Sequence, residues 1–126
     1  MSKEMAMSRK LLVVDDQTGI TRVVSMIASE LGYDVTVLND SSRATETFID
    51  CKPDVVLLDM IMPEKDGIDV LNEILLTGIN SRIVLTSGFS DGYLRLAQSV
   101  AKFHDLDSVS VLRKPFRKDE LVSVLS

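Results

Sequence analysis

PDVVLLDMIMPEKDG, Pro53 to Gly67, is the stretch whose reading decides the fold. Val55 to Leu58 form a short apolar run that ends directly in one carboxylate, Asp59. A Met-Pro pair and an acidic-glycine turn follow. A β-branched and Leu run bounded by Pro and charge reads as a buried strand. Asp59 then stands at the strand's carboxyl end, where open parallel sheets place their sites. A core-like run with an ionised group at its tip is either a strand fraying into solvent or a chemical site.

Working outward, Leu11 to Val14 is a second apolar run, and it ends in two carboxylates, Asp15 and Asp16. From Thr18 the period changes. Ile20, Val23, Val24, Ile27, Ala28 and Leu31 follow helical spacing with one buried face, and Gly32 stops the helix. Tyr33 to Leu38 reads as a strand, and Asn39 to Ser42 as a turn with candidate caps. Ala44, Phe48 and Cys51 mark the inward side of a second helix, broken at Lys52-Pro53. After Gly67, Ile68, Leu71, Ile74 and Leu75 give a third helical stripe, ended near Gly78. Arg82 to Thr86 is a fourth strand running into Ser87-Gly88. A helix follows from Gly92 to about Phe103, with Leu94, Ala97, Val100 and Ala101 inward. A fifth strand spans Val109 to Leu112, Lys114-Pro115 ends it, and Lys118 to Leu125 closes the chain as a helix.

Five strands alternating with five helices imply a parallel sheet covered on both faces. Right-handed crossovers leave few topologies. The expected fold is α/β, a flavodoxin-like (βα)5 doubly wound sheet of strand order 2-1-3-4-5, whose switch point lies between strands one and three. Asp15, Asp16 and Asp59 all lie at the carboxyl ends of those two strands.

The chain's 126 residues suffice for one domain with a real core. Residues 1–8 read as a loose tail and 9–126 as the domain. A hydrophobic content of 45% with 26% charged residues is ordinary for a soluble protein. The net charge of −5 argues against nucleic acid as a direct partner. No apolar run approaches the roughly 20 residues that span a bilayer, and the N-terminus lacks a signal core. Cys51, the single cysteine, cannot form an internal disulfide and fits a reducing cytoplasm.

Crowded carboxylates repel, so raised pKa values, a cation, or both must compensate. An all-oxygen site open to water suits Mg²⁺ better than a soft metal. Mg²⁺ beside a strand-end carboxylate suits phosphoryl transfer, with Asp59 as nucleophile. Ser87 offers a hydroxyl and Lys114 a compact positive charge to the same edge. Singly, each residue has a bland reading: an Asp-Asp turn with a helix cap, a strand-end serine, a solvated lysine. All five on one edge of one sheet is much harder to explain that way. His104, in a polar connection without a metal-spaced companion, reads as a solvated loop or helix-end residue, and Tyr93 and Phe103 as helix packing.

LLVVDD (Leu11 to Asp16), PDVVLLDMIMPEKDG, Ser87-Gly88 and Lys114-Pro115-Phe116 together resemble the receiver domains of bacterial two-component response regulators, across nearly all of residues 9–126. The resemblance implies that Asp59 accepts a phosphoryl group from a phosphohistidine, on a sensor histidine kinase or a histidine phosphotransfer protein. It implies that Asp16, Asp59 and the backbone carbonyl of Ile61 bind Mg²⁺ directly, with Asp15 acting through water. Ser87 is then the switch hydroxyl and Lys114 its cationic partner, across an expected cis Lys114–Pro115 bond. Gly88-Phe89 after it fits the family's small-then-aromatic pattern and selects Ser87 over Thr86. The switched surface is that of helix four, strand five and helix five, presented to an output domain or target, and homodimerisation is left open.

Three departures accompany the resemblance. Val111 stands where many receivers carry an aromatic, the interval from Ser87 to Lys114 is several residues longer than usual, and the sequence ends at Ser126 without an output domain, as expected of either a stand-alone receiver or a fragment of a longer protein. The long interval faintly resembles receivers attached to cyclic-di-GMP phosphodiesterases. Ile61 and Phe89, two residues beyond Asp59 and Ser87, are apolar and cannot orient an attacking water. The expectation is a domain that is not an enzyme, with at most slow autophosphatase activity. The competing readings are a Mg²⁺-dependent phosphatase with an aspartyl nucleophile, and a constitutive protein-binding module. The first lacks a second acid at Ile61 and room for a cap; the second leaves the intact acidic set without a purpose.

Overall fold

The computed structural model describes residues 9–88, 91–104 and 109–126, without the side chains of Asp91, Tyr93, Leu94 and Phe103. Phe89 lies outside the described residues, as do the side chains of Tyr93 and Phe103. Five strands, β1 (Arg9–Val14), β2 (Tyr33–Leu38), β3 (Val55–Asp59), β4 (Arg82–Ser87) and β5 (Ser110–Arg113), pair in parallel. Their order is β2-β1-β3-β4-β5. Between them run α1 (Thr18–Glu30), α2 (Ala44–Cys51), α3 (Gly67–Leu76) and α4 (Asp91–Phe103), with α5 (Lys118–Leu125) last. This is the doubly wound flavodoxin-like sheet that the alternation of periods implies.

The continuous apolar strands are explained by burial on both faces. Leu12, Val14, Val56, Leu58 and Leu85 join Phe48, Leu71 and Ile74 in one core, under α2, α3 and α4. Leu11, Val13, Leu57 and Val84 join Val24, Ala28, Leu121 and Leu125 in the other, under α1 and α5. Each fully buried Leu or Val removes apolar surface worth about 1.5–3 kcal/mol, so β3, buried at all five positions, is anchored in both cores.

Several boundaries differ from the sequence reading. β1 starts at Arg9, two residues early, because parallel pairing with β2 extends to Arg9 and Tyr33. β4 includes Ser87, and β5 runs from Ser110 to Arg113 rather than from Val109 to Leu112. Val23 in α1 and Leu31 at its C-cap are 49% and 42% exposed, so neither belongs to the inward stripe. Thr21 takes an inward place instead, its hydroxyl donating to the Thr18 carbonyl at 3.1 Å. A polar side chain that can bond its own helix is tolerated inward, which apolar periodicity misses. Cys51 is half-buried at the end of α2. His104 follows α4, half-buried, its Nε2 2.8 Å from Asn72 Oδ1 on α3. Among the described residues, no helix is long and apolar enough to cross a membrane.

Candidate functional site

Strand register builds the site. The last β1–β3 pair is Val14 with Leu58, and one residue further on the chains carry Asp15 and Asp59. Asp59 pairs with Thr86 on β4, and Ser87 pairs with Arg113 on β5. The Lys114 N–H donates to the Ser87 carbonyl at 3.1 Å, which continues the β4–β5 ladder to the lysine itself. Four sequence-predicted residues therefore arrive at one edge through backbone pairing alone. Asp16, next along from Asp15, completes a trio with one carboxylate oxygen each within 4.8 Å of the others.

Asp15 and Asp59 are both nearly inaccessible, at 3% and 4% exposure, and Asp16 is half-buried. The Lys114 ammonium lies 2.8 Å from Asp15 Oδ2 and 3.2 Å from Asp59 Oδ2. The Gln17 N–H donates to Asp15 Oδ1 at 2.9 Å, and the Ile61 N–H to Asp59 Oδ1 at 3.3 Å. Burial, followed by the Asp15 charge, pushes the Asp59 pKa above the ordinary carboxylate value, while Lys114 and the Ile61 N–H oppose the shift. The Lys114–Pro115 peptide bond is cis.

Three carboxylates against one ammonium leave two negative charges uncompensated. The donors are all oxygen, and Asp16, Asp59 and Ile61 line a cleft of about 790 Å³ that opens to solvent. That donor set fits a hard divalent cation such as Mg²⁺ rather than a soft metal.

The loop between β3 and α3 is closely held. A Cβ on Gly67 would lie 2.5 Å from the Met60 Cα and 2.6 Å from the Asp59 carbonyl oxygen, so only glycine fits there. The Gly67 N–H donates to the Met60 carbonyl at 3.1 Å. The fully buried Ser41 hydroxyl donates to the Lys65 carbonyl at 2.7 Å and accepts its N–H at 2.8 Å. Lys65 in turn reaches Glu73 on α3, which also accepts from Thr45.

The sequence profile described as "Response regulator receiver domain" matches residues 11–126. The chain belongs to that family. Sporulation initiation phosphotransferase F of Bacillus subtilis is 28% identical over 115 residues, covering 91% of this chain and 89% of the relative. Chemotaxis protein CheY of Thermotoga maritima is 29% identical over 121 residues, covering 95% and 97%. Among solved structures, the BeF3-activated N-terminal receiver domain of Klebsiella pneumoniae RstA superposes with a TM-score of 0.80 at 25% identity, covering 93% of this chain and 95% of that one. The chain is thus similar to two-component signalling proteins over nearly its whole length.

In this receiver, sequence reasoning missed the supporting residues. Ser41 and Asn39 lie in a turn that reads as polar with candidate helix caps, which does not point to these partners; Asn39 Nδ2 donates to the Asp15 carbonyl at 2.9 Å. Gln17 Oε1 accepts from Lys114 Nζ at 2.9 Å across 97 residues. The only available signal for Gln17 was its adjacency to the Asp-Asp pair. Thr86, level with Asp59, is buried, and its hydroxyl has no partner among the described residues.

Proposed function

We propose that this receiver accepts a phosphoryl group on Asp59 from the phosphohistidine of a sensor histidine kinase or histidine phosphotransfer protein. The observation that carries the reading is Asp59 itself. It is a carboxylate at the tip of a fully buried strand, contacted by the Lys114 ammonium and flanked by Asp15 and Asp16. In the transfer, an Asp59 carboxylate oxygen forms a bond to phosphorus while the donor's P–N bond breaks, its electron pair returning to the imidazole. Asp16, Asp59 and the Ile61 carbonyl are the proposed direct ligands of Mg²⁺, with Asp15 acting through water. When bound, the ion supplies neutralisation of charge on the phosphoryl oxygens.

Lys114 offers its ammonium, and Ser87 its hydroxyl, to the transferred group, which brings about −1.5 to −2 units of charge. Moving either residue pulls on the ends of β4 and β5. The proposed consequence is a changed surface across α4, β5 and α5, read by an output domain or target protein. That surface carries a groove lined by Arg95, Gln98, Val111, Glu120 and Val124. Ile61, 40% exposed beside the cleft, has no polar group with which to orient water. Slow autodephosphorylation follows, and replacing Ile61 with a polar residue speeds it. The proposed setting is the cytoplasm, where kinases of this kind place their phosphohistidine.

The test is transfer from a phosphorylated histidine phosphotransfer protein. With Mg²⁺, wild type takes up one phosphoryl group and Asp59→Asn none. Turnover of a generic phosphomonoester would instead support the aspartyl phosphatase reading.

A further inference from the structure

We propose that Gln17 is a positioning residue that holds the Lys114 ammonium when Asp59 is unmodified and releases it when a phosphoryl group arrives. The proposal rests on the phosphoacceptor reading of Asp59 and extends it to a residue that touches no phosphoryl group itself. Gln17 is the N-cap of α1, a position that favours Ser, Thr, Asp or Asn because a short side chain can satisfy the helix's first N–H groups. Here the glutamine side chain makes no cap hydrogen bond. The main chain still does its part, its carbonyl accepting from the Ile20 and Thr21 N–H groups at 3.0 and 3.1 Å. Departures from local sequence rules cluster at functional sites. This side chain crosses the cleft to Lys114 instead.

The chemistry of Lys114 explains why that contact matters. An ammonium has three donors and no acceptor. Three oxygens surround it: Asp15 Oδ2 at 2.8 Å, Gln17 Oε1 at 2.9 Å and Asp59 Oδ2 at 3.2 Å. Gln17 and Asp59 accept hydrogen bonds from it and Asp15 pairs with it by charge, so the ammonium is held on three sides and must loosen one contact to turn toward a phosphoryl oxygen. Hydrogen bonds between two charged groups are stronger than those with one neutral partner. Gln17 is neutral and exposed, so its bond is the one surrendered. A carboxamide also holds the lysine without adding a fourth negative charge to a site that already has an excess.

The experiment measures beryllofluoride binding in saturating Mg²⁺, as a stand-in for the phosphoryl group. Gln17→Asn supplies a residue that favours the N-cap but is one methylene shorter and does not reach Lys114, and should tighten binding about three- to tenfold without lowering the Tm. Gln17→Glu holds Lys114 with a charged acceptor and should weaken binding severalfold. In a Lys114→Ala background both Gln17 changes should have no effect, whereas a role confined to capping α1 would persist there. Unchanged binding in both Gln17 variants, or effects that survive Lys114→Ala, would overturn the proposal. Wild type that fails to bind beryllofluoride at all would overturn the phosphoacceptor reading and this inference together.

Discussion

β3 and β5 deliver the two oppositely charged ends of the site, and they do so on different foundations. β3 is central, pairs on both sides, and is buried at every position from Val55 to Asp59. β5 is an edge strand of four residues with one buried position, Leu112. The carboxylate is therefore fixed by the core, while the lysine sits at the end of a thinly supported strand. The difference teaches how a switch can be built on a rigid sheet. On the proposed reading, the carboxylate is held still to accept the phosphoryl group while the responding cation is free to shift.

Truncation in the two strands is the strongest way to break that contrast. Leu58→Ala, directly before Asp59 and fully buried, should cost about 2–5 kcal/mol. Val111→Ala, half-buried on β5, should cost about 1 kcal/mol. Urea melts of the two variants check this, and equal losses would remove the distinction. Gly67→Ala comes next, because its Cβ meets backbone rather than a movable side chain. It should destabilise by about 1–3 kcal/mol and weaken Mg²⁺ binding by shifting the Met60–Asp66 loop, measurable by calorimetric titration.

The smallest effect has the opposite sign. The folded Asp59 carboxyl holds its proton to higher pH than it does in the unfolded chain. Its ionisation therefore subtracts from stability, and that loss grows as pH rises from the ordinary carboxylate range through the raised folded value. Asp59→Asn should stabilise the metal-free protein at neutral pH. The gain should vanish below the ordinary carboxylate range, where both states are protonated. Melts across pH in the presence of a chelator read it directly. A destabilised Asp59→Asn would show that the Lys114 pairing outweighs burial.

Most of β1, β3 and β4 was legible in the sequence because doubly buried strands are written as unbroken apolar runs. The site carboxylates were legible because each run ends abruptly in charge. Val23 and Leu31 misled because periodicity marks one side of a helix without saying how much of that side the sheet can cover. The edges of β5 were blurred because an edge strand needs only one buried residue, Leu112, and alternation over four residues is a weak signal. Gln17, Asn39 and Ser41 were not legible as a group. Their partners Lys114, Asp15 and Lys65 lie 24 to 97 residues away, and only register brings them together.

The phosphoacceptor role of Asp59 is tested most directly by intact-mass spectrometry after incubation with acetyl phosphate and Mg²⁺. Wild type should gain the mass of a single phosphoryl group, lose it in a chelator control, and show no gain in Asp59→Asn. Labelling of Asp59→Asn to the same extent as wild type would contradict the account.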